Sequence, residues 1–187
     1  MKIIVGITGA SGSIYAKRLL EFLTGRDFEV HAVFSRTGEQ VMRYECDCGR
    51  NDFPNVTWHE PDNMFASIAS GSRPTDGMVV VPCSVNTLSN IAYGLSGNLL
   101  QRAAGVVLKE KRNLIVVPRE TPLSTIHLEA MLRLAQAGAT LLPASPAFYH
   151  RPRTIDDLVA QVVGKMLNLL RIPHDLFPEW EDAPPNR

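Results

Sequence analysis

Apolar positions along this chain fall into short unbroken runs that alternate with stretches repeating at helical spacing. Ile3 to Ile7 is such a run; it breaks at Thr8-Gly9-Ala10-Ser11-Gly12 and resumes at helical spacing through Leu19, Leu20 and Leu23. The pattern predicts a buried strand, a tight glycine turn and an amphipathic helix whose first amides are free. Phe28 to Phe34 reads as a second strand ending at Ser35, and Gly38 to Cys46 as a helix. Residues 50–72 are the least regular stretch, with a short strand expected at Val56 to His59. Gly77 to Val81 predicts a strand, with a helix beginning near Ser84, a polar turn, and a second helix from Leu99 to Lys109. Leu114 to Val117 predicts another buried strand, Leu123 to Ala137 a helix ended by Gly138, and Ala139 to Leu142 a final short strand. The loop Pro143 to Pro152 leads into a helix from Ile155 to Leu170.

Strands separated by helices imply a parallel sheet covered on both faces, an α/β fold. Ligands of such sheets bind beyond the carboxyl ends of the strands. Those ends are Thr8-Gly9, Ser35, Pro82-Cys83-Ser84, Pro118-Arg119-Glu120 and the segment from Pro143 to Pro146. Every unusual loop is thereby collected at one edge.

Composition narrows the partner. Lysine plus arginine equal aspartate plus glutamate at 19 each over 187 residues, which gives no reason to expect nucleic acid or an anionic membrane. The longest apolar runs are too short to span a bilayer, and Lys2 is followed by a short strand, unlike a secretory leader. Cys46, Cys48 and Cys83 form no disulfide framework, and Cys46-x-Cys48 lacks a second ligand pair for zinc. The expectation is a reduced, cytoplasmic protein of one domain over residues 1–172, with no metal and a proline-rich acidic tail over 173–187.

The edge loops carry the candidate chemistry. The spacing of Gly6, Gly9 and Gly12 is not the dinucleotide GxGxxG, and no Walker lysine follows. A helix N-terminus after Gly12 favours a phosphate, with Ser11 either capping the helix or facing the ligand. Ser84, Val85, Asn86 and Thr87 open a second helix with hydroxyl and amide groups suited to a phosphate or a heterocycle edge; a plain cap needs only one of them. Cys83 reads as a nucleophile or as a buried structural thiol. Arg119 and Glu120, bracketed by prolines, read as a phosphate clamp with a proton-transfer carboxylate, or as a surface ion pair. Tyr149 can donate to a phosphate oxygen or pack in the core, and His150 reads as a loop contact. Alone, Glu45, Lys109 and Lys165 would be ordinary solvated residues.

Together, TGASG, PCSVNTLS, NLLQRAAGVVLKEKR, VPRETPLSTIHLEAM and PAFYHRP, in this order over nearly the whole chain, resemble the flavin prenyltransferases of the UbiX type. The resemblance implies a Rossmann-like, flavodoxin-related parallel sheet with helices on both faces, assembled as a homo-oligomer, typically a dodecamer of trimers with sites between subunits. It implies transfer of a dimethylallyl group from dimethylallyl monophosphate to N5 and C6 of reduced FMN. The product is then handed to a UbiD-type decarboxylase. Carried over by motif, Gly9, Ala10, Ser11, Ser35, Ser84, Val85, Asn86, Thr87 and Arg119 would hold FMN. Lys109, Arg119, Tyr149 and Lys165 would bind the prenyl phosphate, with some reached from a neighbouring subunit. Ser11, Glu45 and Glu120 would be catalytic, and Trp180 would lie near the site. Lys165 stands where many relatives carry arginine. The competing readings are an FMN-dependent cysteine-type decarboxylase, whose PxMNxxMW-like segment is missing here, and a non-catalytic flavin carrier. A nicotinamide dehydrogenase fits least, because Glu29 precedes the second strand instead of ending it.

Overall fold

The strands come from β-branched runs, and all of them pair in parallel. In the computed structural model, which describes residues 1–178, they are β1 (Lys2–Ile7), β2 (Glu29–Phe34), β3 (Val56–His59), β4 (Gly77–Cys83), β5 (Asn113–Pro118) and β6 (Thr140–Leu141). Their order across the sheet is β3-β2-β1-β4-β5-β6. The direction of strand growth therefore reverses between β1 and β4, and that reversal opens a crevice at the carboxyl edge.

Among the described residues six helices cover the sheet: α1 (Ser13–Thr24), α2 (Arg36–Cys46), α3 (Val85–Ala92), α4 (Leu99–Lys109), α5 (Thr125–Gln136) and α6 (Ile155–Leu169). Alternation along β1 decides which side each neighbour sees. Ile3, Val5 and Ile7 face Leu19, Leu20 and Leu23 of α1, Met42 of α2 and Val163 and Met166 of α6. Ile4 faces the opposite layer, built from Leu88 of α3, Leu100 and Ala104 of α4 and Ala130 and Leu134 of α5. The fold is thus the doubly wound α/β sheet expected from the sequence.

Element ends differ from expectation by a few residues, and capping is the reason. Ser35 accepts a hydrogen bond from the Gly38 amide, so α2 starts at Arg36 and not at Gly38. Ser124 accepts from the His127 amide, so α5 starts at Thr125 and not at Leu123. The irregular stretch contains β3 and two short 3-10 turns, Arg50–Asp52 and Ser67–Ala69, which periodicity did not signal. Among the described residues no helix is long and apolar enough to cross a membrane.

Candidate active site

Strand β1 delivers the first loop. Gly12 adopts φ 107°, a left-handed conformation that glycine reaches without strain, and it immediately precedes α1. The amides of Gly12 and Ser13 each lie 2.9 Å from Oε2 of Glu45. The expectation of free first amides is therefore not met, and Ser11 does not cap the helix. An internal carboxylate fills that place, because a negative charge complements the partial positive charge of the helix start. Burial pushes the Glu45 carboxyl up. Hydrogen bonds from the Ser11 hydroxyl and from the Ser13 and Gly12 amides outweigh that and hold it below the usual glutamate value.

Glu45 reaches this position because α2 is pressed onto the end of β1. A side chain at Gly38 would put its Cβ 2.5 Å from the Ile7 carbonyl oxygen, so only glycine permits the approach. Ser35, at the start of the same helix, has its oxygen engaged by Gly38 at 3.0 Å but keeps its own proton to donate.

Strand β4 delivers the second loop. Ser84 Oγ accepts from the Thr87 amide at 3.3 Å and bonds the Thr87 hydroxyl at 3.2 Å. The amides of Val85 and Asn86 begin α3 and have no intrahelical acceptor by position. Asn86 is exposed and Thr87 buried. Cys83 is fully buried and burial pushes its thiol up, which settles it as a structural thiol. Cys46 is likewise pushed up by burial, to about 11, so neither is an activated nucleophile.

Strand β5 delivers the third loop. Arg119 Nε donates to the Ser11 carbonyl at 3.1 Å, bridging loops 108 residues apart in sequence. Glu120 is solvent-exposed and accepts from the Thr121 amide at 3.0 Å. The fourth loop joins through the Ala144 amide, which donates to the Pro118 carbonyl. Farther along it, Tyr149 is about half exposed, with its ring edge-on to His150 at 5.6 Å.

Ser11, Glu45, Arg119 and the start of α3 are thus brought to one edge, while two candidates are not. Lys109 ends α4, four residues before β5 begins, which places it at the amino edge of the sheet, and it pairs with Glu110. Lys165 is exposed in the later half of α6, a helix that also runs back toward the amino edge, where Asn113 bonds the Leu169 carbonyl. Trp180 lies outside the described residues. A residue the sequence reading passed over is Thr8. It is fully buried, and its signal was a polar side chain closing an apolar strand.

Chemically the edge offers hydroxyls, helix-start amides and a guanidinium for an anionic, heteroatom-rich ligand, with two carboxylates able to move protons. That donor set fits the phosphate and ring edge of a flavin mononucleotide.

The flavoprotein family profile matches residues 1–167. A flavin prenyltransferase UbiX of Halalkalibacterium halodurans is 48% identical over 194 aligned residues, spanning 97% of this chain and 94% of its own. A dodecameric FMN-dependent UbiX-like decarboxylase from Escherichia coli O157:H7 superposes with a TM-score of 0.94 at 43% identity, covering 97% of this chain and 100% of that one. AnUbiX (PadA1), solved in complex with FMN and dimethylallyl pyrophosphate, also gives 0.94, at 40% identity over 97% and 98% of the two chains.

Proposed function

Because this chain belongs to the flavin prenyltransferase (UbiX) family, we propose that it joins a dimethylallyl group from dimethylallyl monophosphate to reduced FMN. The observation that carries this reading is the convergence of Ser11, Glu45 and Arg119 beside the start of α3 at the carboxyl edge. The flavin supplies the nucleophilic N5 and C6 positions that accept the prenyl group.

Ser84, Val85, Asn86 and Thr87 hold the FMN phosphate in this reading, since Glu45 already occupies the Gly12 and Ser13 amides of the first helix. Gly9, Ala10, Ser11 and Ser35 line the ring, and Arg119 lies between cofactor and donor. Breaking the allylic C–O bond leaves a phosphate dianion and an allylic cation. Lys109, Arg119, Tyr149 and Lys165 stabilise the departing dianion. Glu120, or the phosphate itself, takes the proton lost from C6. Glu45 orients the Ser11 hydroxyl toward the reacting atoms.

Lys109 and Lys165 lie away from this edge in a single chain, so a neighbouring subunit supplies at least one of them. Ile126, Leu128 and Leu132 on α5, with Tyr93 and Leu95 nearby in sequence after α3, are each more than half exposed, which supports burial against other copies of this chain. A dodecamer in the cytoplasm, passing prenylated FMN to a UbiD-type decarboxylase, completes the reading.

The test is anaerobic incubation with reduced FMN and dimethylallyl monophosphate, then mass spectrometry of the extracted flavin. A flavin heavier by one five-carbon unit is expected. Unmodified FMN with both the monophosphate and the diphosphate donor would move the carrier and decarboxylase readings ahead.

A further inference from the structure

We propose that Thr8 is a positioning residue that sets the α3 loop against the β1 loop before the flavin arrives. This rests on the flavin reading, in which both loops hold FMN. Thr8 is the last side chain before the glycine turn and is fully buried. Its hydroxyl donates to the Pro82 carbonyl at 2.8 Å and accepts from the Ser84 amide at 2.7 Å. Its own amide also donates to Pro82, at 3.3 Å. One side chain directly after β1 therefore holds the backbone on both sides of Cys83.

The consequence follows from what Ser84 does. It is the N-cap of α3, and the direction of the Val85, Asn86 and Thr87 amides depends on where its backbone sits. One residue after Thr8 begin Gly9, Ala10 and Ser11. The hydroxyl thus fixes the spacing between the two groups of donors on either side of the sheet's reversal point. Ligand donors set in place beforehand cost no ordering when the ligand binds.

Thr8→Val keeps the shape but removes both hydroxyl bonds, and Thr8→Ser keeps the bonds. For Thr8→Val the Kd of FMN, read by quenching of flavin fluorescence, should rise about tenfold, as expected for one broken buried hydrogen-bond pair. Thr8→Ser should stay within about threefold of wild type. At saturating FMN the kcat of Thr8→Val should remain close to wild type, so that the loss appears in KM for FMN. A loss of packing alone would lower thermal stability without moving the Kd of the folded fraction. Wild-type FMN affinity in folded Thr8→Val would overturn the proposal, as would a Thr8→Ser variant weakened as much as Thr8→Val. If Thr8→Val does not fold, amide exchange of Ser84 in the free wild-type protein decides. Slow exchange before FMN is added supports a preset loop, and unprotected exchange overturns it. Failure of the wild-type chain to bind FMN would sink the flavin reading instead, and the exchange measurement would still judge Thr8.

Discussion

The two edges of the sheet are built from similar residue types and behave differently. At the amino edge the ion pairs join side chain to side chain, beside bonds from Arg112 and Asn113 to the Gly71, Arg73 and Leu169 carbonyls. Lys2 pairs with Glu29 at 2.9 Å, and Glu29 with His31 at 2.9 Å. Lys109 pairs with its sequence neighbour Glu110. At the carboxyl edge, side chains instead hold the backbone of distant loops: Glu45 the start of α1, Arg119 the Ser11 carbonyl, Thr8 the turn after β4. The first arrangement closes on itself. The second locks loops in place while leaving the Val85 and Asn86 amides without an intrahelical acceptor and the Glu120 carboxylate exposed. One chain therefore assembles the flavin side of the proposed site together with Arg119, while Lys109 and Lys165, the other two cations meant for the prenyl phosphate, lie toward the amino edge.

The largest effect that would break this contrast is expected at Glu120. If it moves the C6 proton, Glu120→Gln should lower prenyl transfer by about a hundredfold or more while FMN affinity holds. Normal turnover would remove Glu120 from the chemistry and leave the proton to the departing phosphate.

A mixing experiment sharpens the same contrast. Lys109→Ala and Glu120→Gln should each be nearly inactive. When they are co-expressed, sites that draw a native Lys109 from one chain and a native Glu120 from another should restore about a quarter of wild-type activity, as random pairing in a symmetric assembly requires. No recovery would mean that both residues act within one subunit, and a Lys109→Ala variant active on its own would leave Lys109 with its Glu110 pair at the amino edge alone.

Lys165→Ala should act on one substrate only. The KM for dimethylallyl monophosphate is expected to rise about tenfold, the loss of one charge-assisted contact, with KM for FMN unchanged. An unchanged donor KM would release Lys165 from the phosphate.

What the sequence made legible divides along the same line. β-branched runs broken by glycine and proline announced every strand, and alternation along them announced two covered faces. The parallel arrangement implied by that pattern collects the loops at one edge. Side chains acting at long range were not legible. Nothing near Glu45 in sequence says that its carboxylate lies on amides 32 and 33 residues away, so the start of α1 read as open when it is filled. Thr8 read as part of a glycine turn because its partners lie 74 and 76 residues on. Lys109 entered the phosphate set through the family resemblance alone, since a motif carries no information about which edge its helix ends on. Local pattern encodes elements; which distant loop a polar side chain reaches is decided by packing, as when Gly38 lets α2 close onto Ile7.

The smallest effect tests whether Glu45 is a structural clamp as well as a participant in chemistry. Its carboxylate is lower in the folded state than in the unfolded chain, held down by the Ser11 hydroxyl and the Ser13 and Gly12 amides against the opposing pull of burial. A group whose pKa falls on folding adds stability above its unfolded value, near pH 4 for a glutamate, and loses it as pH drops through the folded value. Glu45→Gln keeps an acceptor oxygen for the amides but removes the charge that complements the helix start. With the site open to solvent, the loss at pH 7 should be about 1 kcal/mol or less, a fall in Tm of roughly 2–4 °C. The two proteins should converge in stability as pH falls below the unfolded glutamate value. Thermal unfolding of both without ligand, from pH 7 down to pH 3, reads this directly. A constant gap across that range would mean that the carboxylate's charge contributes nothing at the start of α1, and that the carboxyl edge is held by shape and neutral hydrogen bonds alone.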